Sequence, residues 1–252
     1  MNSKPVGSKP THNVTDESLP SPRAFVLRGA TVSCSVQQWS FQPRTAQLVL
    51  YHQHRLPTLA DLQRWTERLR EMGYTSVRTT ALASTAALRV ETAGFHAIQE
   101  LVLLEHLEPQ KATAPTTPTH RLPPDQHADA STIDLAAFGA DWALEPRAIS
   151  DVCAATPRHR ARSAGAPVSA YAISGRDGKQ GFLQRLAVAP SAQRQGLGRG
   201  LVLDSLRWLA RWRVQRVLVN TPNENEPALA LYEHLGFRRI NERLRVYELA
   251  LP

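Results

Sequence analysis

Cysteine, lysine and long apolar runs are what this chain has least of. Its two cysteines, Cys34 and Cys153, stand far apart in apolar surroundings. That excludes a disulfide-stapled secreted scaffold and leaves two reduced, buried thiols. No metal-ligand spacing surrounds them, and His52-Gln-His54 lacks an evident third ligand, so no metal is expected. No apolar stretch approaches the length of a membrane span. Residues 1–22, rich in Ser, Pro, Lys and Thr, lack the apolar core of a signal peptide and read as a disordered leader. Together these absences predict a cytoplasmic protein with no membrane attachment.

Lysine is confined to Lys4, Lys9, Lys111 and Lys179, so 26 of the 30 basic residues (30 − 4) are arginine, within a net charge of +8. Such a charge is compatible with polyanion binding. The arginines are scattered over every segment, however, and a dedicated nucleic-acid site is not indicated. Arg158, Arg160 and Arg162 alternate, and read first as the solvated face of an edge strand.

What the chain does have is an apolar strand, Leu183 to Pro190, running into Ser191-Ala-Gln-Arg-Gln-Gly-Leu-Gly-Arg-Gly200. Leu197, Leu201, Val202, Leu206 and Leu209 then repeat at helical spacing. Glycines at 196, 198 and 200 let several backbone N–H groups converge at a helix N-terminus, where the dipole also favours an anion. The loop lacks the Gly-Lys-Ser/Thr of nucleotide hydrolases and the spacing of the dinucleotide fingerprint. Downstream, Arg216-Val-Leu-Val-Asn220 reads as a strand, followed by Asn225-Glu-Pro-Ala-Leu-Ala-Leu-Tyr-Glu-His-Leu-Gly-Phe237.

Gln193-Arg-Gln-Gly-Leu-Gly198 resembles the Gln/Arg-x-x-Gly-x-Gly/Ala signature of the GNAT superfamily of N-acetyltransferases. The Asn225, Leu231-Tyr232 and Gly236-Phe237 pattern is similar to that superfamily's second motif, and the resemblance covers about the last half of the chain. It implies an α/β (α+β) fold with a mixed, mostly antiparallel sheet flanked by helices. It also implies acetyl transfer from acetyl-CoA to a primary amine of a small molecule, protein N-terminus or lysine. Arg194, Gln195, Gly196, Leu197, Gly198 and Arg199 would hold the pyrophosphate. The backbone of Leu186, Ala187 and Val188 would pair with the pantetheine arm, Asn225 would bond the carrier near the thioester, and Tyr232 would give the leaving thiolate a proton. Relatives that acetylate a ribosomal protein's N-terminal alanine carry a glutamate base five positions before the asparagine; Asn220 stands there, so that direct transfer is not expected. Asp141, Glu145, Glu224 and Glu226 are the remaining candidates for a base, each also readable as a solvated helix-end charge. The rival reading is a non-catalytic acyl-CoA sensor or scaffold.

The first half repeats the order of elements. Gly94-Phe95 and Gly236-Phe237 lie 142 positions apart (236 − 94), and Trp65 and Trp208 lie 143 apart (208 − 65). At the glycine loop's place it has Tyr51-His-Gln-His-Arg-Leu-Pro57, and Val90 where Tyr232 stands. Residues 23–108 therefore read as a degenerate copy, 109–130 as a linker, and 131–252 as the catalytic domain, lacking an obvious first strand that the N-terminal half could supply. This tandem arrangement is similar to that of enzymes such as mycothiol synthase, which by itself carries no acceptor over. Trp208 and Trp212 read as core residues. The acceptor amine and the oligomeric state are not legible.

Overall fold

The computed structural model describes residues 24–30, 32–50 and 56–252. The leader and the His52-Gln-His54 segment lie outside them. The first half contributes β1 (Phe25–Arg28), β2 (Ser33–Trp39), β3 (Gln42–Leu50), α1 (Leu59–Glu71), β4 (Ser76–Thr79), β5 (Leu82–Ala83), α2 (Ser84–Thr92) and β6 (His96–His106). The second contributes β7 (His120–Arg121), α3 (His127–Phe138), α4 (Pro146–Ala154), β8 (Arg158–Ala164), β9 (Ala170–Asp177), β10 (Gln180–Val188), α5 (Leu197–Arg211), β11 (Arg216–Pro222), α6 (Glu226–His234) and β12 (Arg238–Ala250).

Local chemistry sets the helices. Thr58 and Asp61 form a reciprocal capping box that starts α1, and the buried Leu62, Trp65 and Leu69 follow at helical spacing. The two Gly-Phe closures are built alike. Gly94 and Gly236 both take φ +91, Phe95 N–H donates to Val90 O at 3.1 Å, and Phe237 N–H donates to Tyr232 O at 3.0 Å. Only glycine adopts that backbone without strain. The closures therefore place Val90 and Tyr232 at equivalent positions of the two halves.

One sheet joins both halves in the order β1-β2-β3-β4-β12-β6-β11-β10-β9-β8-β7, with β5 on β12. The two halves exchange their last strands. In the first, the gap between β4 and β6 is filled by β12; in the second, the gap between β11 and β12 is filled by β6. Packing follows the exchange, with Leu104 of β6 in the cluster around Leu201, Leu206 and Phe237. Tyr247 of β12 lies in the cluster around Leu62, Trp65 and Leu69. Each such fully buried side chain stabilises by about 1.5–3 kcal/mol.

The N-terminal half does not supply the second half's missing first strand. That place is taken by β7, two residues paired with β8 at His120↔Ser163 and Arg121↔Arg162. Residues 109–126 cross α5: Thr119 Oγ1 donates to Asp204 Oδ1 at 3.2 Å, and Thr117 packs so closely that a Cβ on Gly200 would meet its Cβ at 2.9 Å. In the arginine row Arg158 is exposed, as expected of a solvated face, but the other two are not free. Arg160 forms a paired bridge to Asp204 at 2.8 and 3.0 Å, and Arg162 lies 3.7 Å from the same carboxylate. Trp208 packs on the core, but Trp212, just past the end of α5, is 53% exposed beneath the Arg176 guanidinium at 4.4 Å. Cys34 and Cys153 are unpaired and buried, and burial pushes the Cys34 thiol up to about 12.

His106 closes β6 against the second half, its ring edge-on to Phe237 at 5.1 Å and its Nδ1 accepting from Glu108 N–H at 3.2 Å. Burial pushes its pKa down, as it does that of His127. The unfolded chain therefore binds more protons just below the ordinary histidine pKa of about 6.5. This contribution to stability is present above about pH 6.5 and is lost as pH falls below it. Urea midpoints should accordingly drop between about pH 7.5 and about pH 5.5, with a smaller drop in His106→Gln.

Candidate active site

The parallel pair β10 and β11 is hydrogen-bonded only from Gln180↔Arg216 to Phe182↔Leu218. Beyond that β10 stays on β9 as far as Val188↔Ala170, and β11 stays on β6 as far as Pro222↔Leu101. A register jump at Gln184, between Leu183↔Ser174 and Arg185↔Ile173, bends β10 at the parting point. A cleft of about 970 Å³ opens between the strands, with one edge of β10 free to accept an extended ligand. Among the described residues the first half has no such gap. There β3 and β4 pair from Thr45↔Ser76 to Leu48↔Thr79, Thr80 N–H adds a bond to Leu48 O at 3.2 Å, and Val90 is buried.

The glycine loop sits at one end of the cleft. Arg194 (φ 59) and Gly196 (φ 80) are both left-handed, and Gly196 starts α5 with no side-chain cap. The helix's first bond, Gly200 N–H to Gly196 O at 2.9 Å, leaves the N–H groups of Leu197, Gly198 and Arg199 without an intrahelical acceptor. A Cβ on Gly198 would lie 3.5 Å from both Val188 Cγ2 and Leu231 Cδ2, so this residue faces the gap between β10 and α6.

Asn225 has a role the sequence did not suggest. Its Oδ1 caps α6 by accepting from Ala228 N–H at 3.2 Å, and the residue helps to form the cleft wall. Tyr232, 4% exposed, lies within that wall with its ring 5.6 Å from Phe237. Its hydroxyl makes no hydrogen bond among the described residues. Burial pushes the phenol pKa up, and the Arg185 guanidinium works against that rise without cancelling it, so the group stays protonated.

Leu186, Ala187, Val188, Arg194, Gly196, Leu197, Gly198, Arg199, Asn225 and Tyr232 all line the cleft. Gln195 does not; it is exposed and its Nε2 donates back to Ser191 O at 3.2 Å. Nor does any of the four carboxylates considered as a base. Asp141 accepts from Gln42 Nε2 at 2.6 Å and Glu145 from Phe41 N–H at 3.3 Å, both across to the first half, while Glu224 and Glu226 sit at the outer start of α6. Among the described residues no Asp or Glu lines the cleft.

Three features of the site were not read from the sequence. Arg185, a charge inside an apolar strand, was the available signal for one. Its Nε and Nη2 bond Asp134 at 2.9 and 2.5 Å, Nη2 also bonds Trp142 O at 2.8 Å, and the guanidinium lies 3.8 Å over the Phe138 ring. The second is the wall formed by Phe138, Trp142 and the loop between α3 and α4, which the first half holds in place. Trp39 Nε1 donates to Asp141 O at 2.8 Å, Arg78 Nη1 to the same oxygen at 3.3 Å, and the Trp39 and Trp142 rings meet edge-on at 5.5 Å. The third is the contribution of Gln99 and Leu101 on β6 and Val246 on β12 to the far end of the cleft. The exchanged strands thus build part of the site.

Residues 129–237 match the acetyltransferase (GNAT) family. Over 53 residues the chain is 47% identical to a mycothiol acetyltransferase of Acidothermus cellulolyticus, which covers 21% of this chain and 16% of that one. Over 80 residues it is 35% identical to a mycothiol acetyltransferase of Nocardioides sp., covering 32% and 27%. The matching stretches thus span about a quarter or less of those relatives' lengths. Among solved structures, a tandem GNAT protein from the clavulanic acid biosynthesis pathway superposes with a TM-score of 0.61 at 16% identity, over 88% of this chain and 79% of that one. A GCN5-related N-acetyltransferase from Kribbella flavida gives 0.60 at 12% identity, over 89% of each. The chain has the fold of a tandem GNAT protein, and within it residues 129–237 match the acetyltransferase (GNAT) family.

Proposed function

We propose that the protein transfers an acetyl group from acetyl-CoA to a primary amine in the cytoplasm, using the one cleft between β10 and β11. The observation that carries this reading is the free edge of β10, which leads from Tyr232 and Arg185 to the unsatisfied amides at the start of α5. Acetyl-CoA supplies an activated thioester. Its pyrophosphate suits the N–H groups of Leu197, Gly198 and Arg199 with the Arg194 and Arg199 side chains beside them, and its pantetheine amides suit the open backbone of Leu186 to Val188. Asn225 Nδ2 is the group left to donate near the thioester.

The acceptor nitrogen's lone pair forms the N–C bond as the C–S bond breaks and its electrons pass to sulfur. Tyr232 gives the sulfur a proton and regains the one that nitrogen sheds, so the exchange balances. With no carboxylate on the cleft wall, the amine must arrive neutral, and holding it against the thioester supplies much of the rate.

The test is amine-dependent release of CoA thiol by the wild type and by Gly198→Glu. The added side chain fits at the helix start, where a carboxylate suits the dipole, yet it fills the gap facing Val188 and Leu231. Like charge beside the pyrophosphate costs several kcal/mol, so acetyl-CoA affinity should fall by about a hundredfold or more and activity with it. Wild-type binding without release to any amine would instead favour the acyl-CoA sensor.

A further inference from the structure

At the reacting end of the cleft one cation is half-buried and only partly used. The Arg185 side chain is 19% exposed and lines the cleft near Tyr232. Its Nε and Nη2 are taken by Asp134 and Trp142 O, while Nη1 has no hydrogen-bond partner among the described residues. Asp134, 0% exposed, lies behind it and divides its charge among four donated bonds: two from Arg185, one from Tyr171 OH at 2.5 Å and one from Leu144 N–H at 2.7 Å. The carboxylate is thus spent away from the cleft, and the face that Arg185 presents to a ligand is cationic.

The other titratable groups on the lining are Arg194, Arg199 and His234. A polycationic acceptor, such as a polyamine or a lysine-rich tail, would meet like charge and no counter-ion. A guanidinium nitrogen on the cleft wall with both N–H bonds free is best satisfied by an anionic oxygen, and charge-assisted bonds are about twice as strong as neutral ones. Phe138 and Trp142 give the same end an aromatic wall.

We propose that Arg185 Nη1 binds a carboxylate carried by the acceptor, which makes the acceptors of this site amino acids rather than simple amines or cationic peptides. The inference rests on the cleft being the acetyl-CoA-dependent transfer site. Arg185 is then a specificity-determining residue, and Asp134 and Tyr171 position it.

The experiment uses the full chain, acetyl-CoA and three probes that share one aromatic skeleton: phenylalanine, phenylalaninamide and phenethylamine. Rates are compared per neutral amine, because the three differ in amine pKa. The wild type should favour phenylalanine over both others by about tenfold or more in kcat/KM, the size of one charge-assisted bond. In Arg185→Lys, which keeps a cation opposite Asp134 but has no Nη1, the ratio should collapse toward one while acetyl-CoA still binds. Equal rates for the three probes in the wild type, preference for the amide, or an undiminished preference in Arg185→Lys would overturn the proposal. The wild-type panel decides even if the variant does not fold. Failure of the wild type to bind acetyl-CoA would overturn both this proposal and the reading on which it rests; binding without the preference overturns this one alone.

Discussion

Tyr232→Phe should lower kcat for acetyl transfer by about a hundredfold or more, the usual worth of a positioned proton donor, and leave acetyl-CoA affinity within about twofold. The substitution removes one oxygen that has no partner among the described residues, so the packing of the ring on Phe237 survives and thermal stability should hold. A purely structural tyrosine would show the opposite pattern, with stability falling and kcat held. The pH profile adds a second constraint. Burial raises the phenol's pKa, so its proton is in place at every pH where the enzyme works. Wild-type kcat/KM should then climb as the acceptor amine becomes neutral, with no falling limb from Tyr232 below about pH 10. Steady-state kinetics of both proteins over that range is the measurement.

Removing residues 1–108 should unfold the rest of the chain. β6 lies between β11 and β12, so its loss leaves both with bare edges, and Leu103, Leu104 and His106 leave the core with it. Each lost leucine costs about 1.5–3 kcal/mol, a large share, before the broken pairing is counted, of the margin of about 5–15 kcal/mol that folded domains possess. The fragment 109–252 should show no cooperative thermal transition, and coexpression with 1–108 should restore one. A soluble, cooperatively folding 109–252 would mean that the exchange of strands is not needed for stability. The first half is thus more than a packing partner: Trp39 and Arg78 hold the Trp142 loop, and Gln99 and Leu101 line the cleft.

What the sequence could carry was what lies close along the chain. The glycines of 194–200, the Asn225 to Phe237 helix and the Gly94 counterpart are local patterns, and residues marked by the first two converge on one cleft. Gln195 faces away between two left-handed residues, Arg194 and Gly196, a matter of backbone sign that identity does not record. Pairing partners are a different kind of information. Nothing in the strings 96–106 or 238–250 says that each fills the other half's gap, since both read as strands that would fit either slot. Asp134, Tyr171 and Arg185 come from α3, β9 and β10, and their meeting depends on that sheet order. Trp212 shares a helical face with Trp208, yet α5 ends at Arg211 and puts the indole outside the core. Asp141 and Glu145, read as solvated charges or bases, instead bridge to the first half.

Calorimetric titration of the full chain with acetyl-CoA tests the central claim most directly, because it counts sites as well as detecting them. One equivalent per chain is expected, held by the open β10 edge, with none at the closed pair of β3 and β4. Two equivalents, or no binding by a folded wild type, would contradict the account.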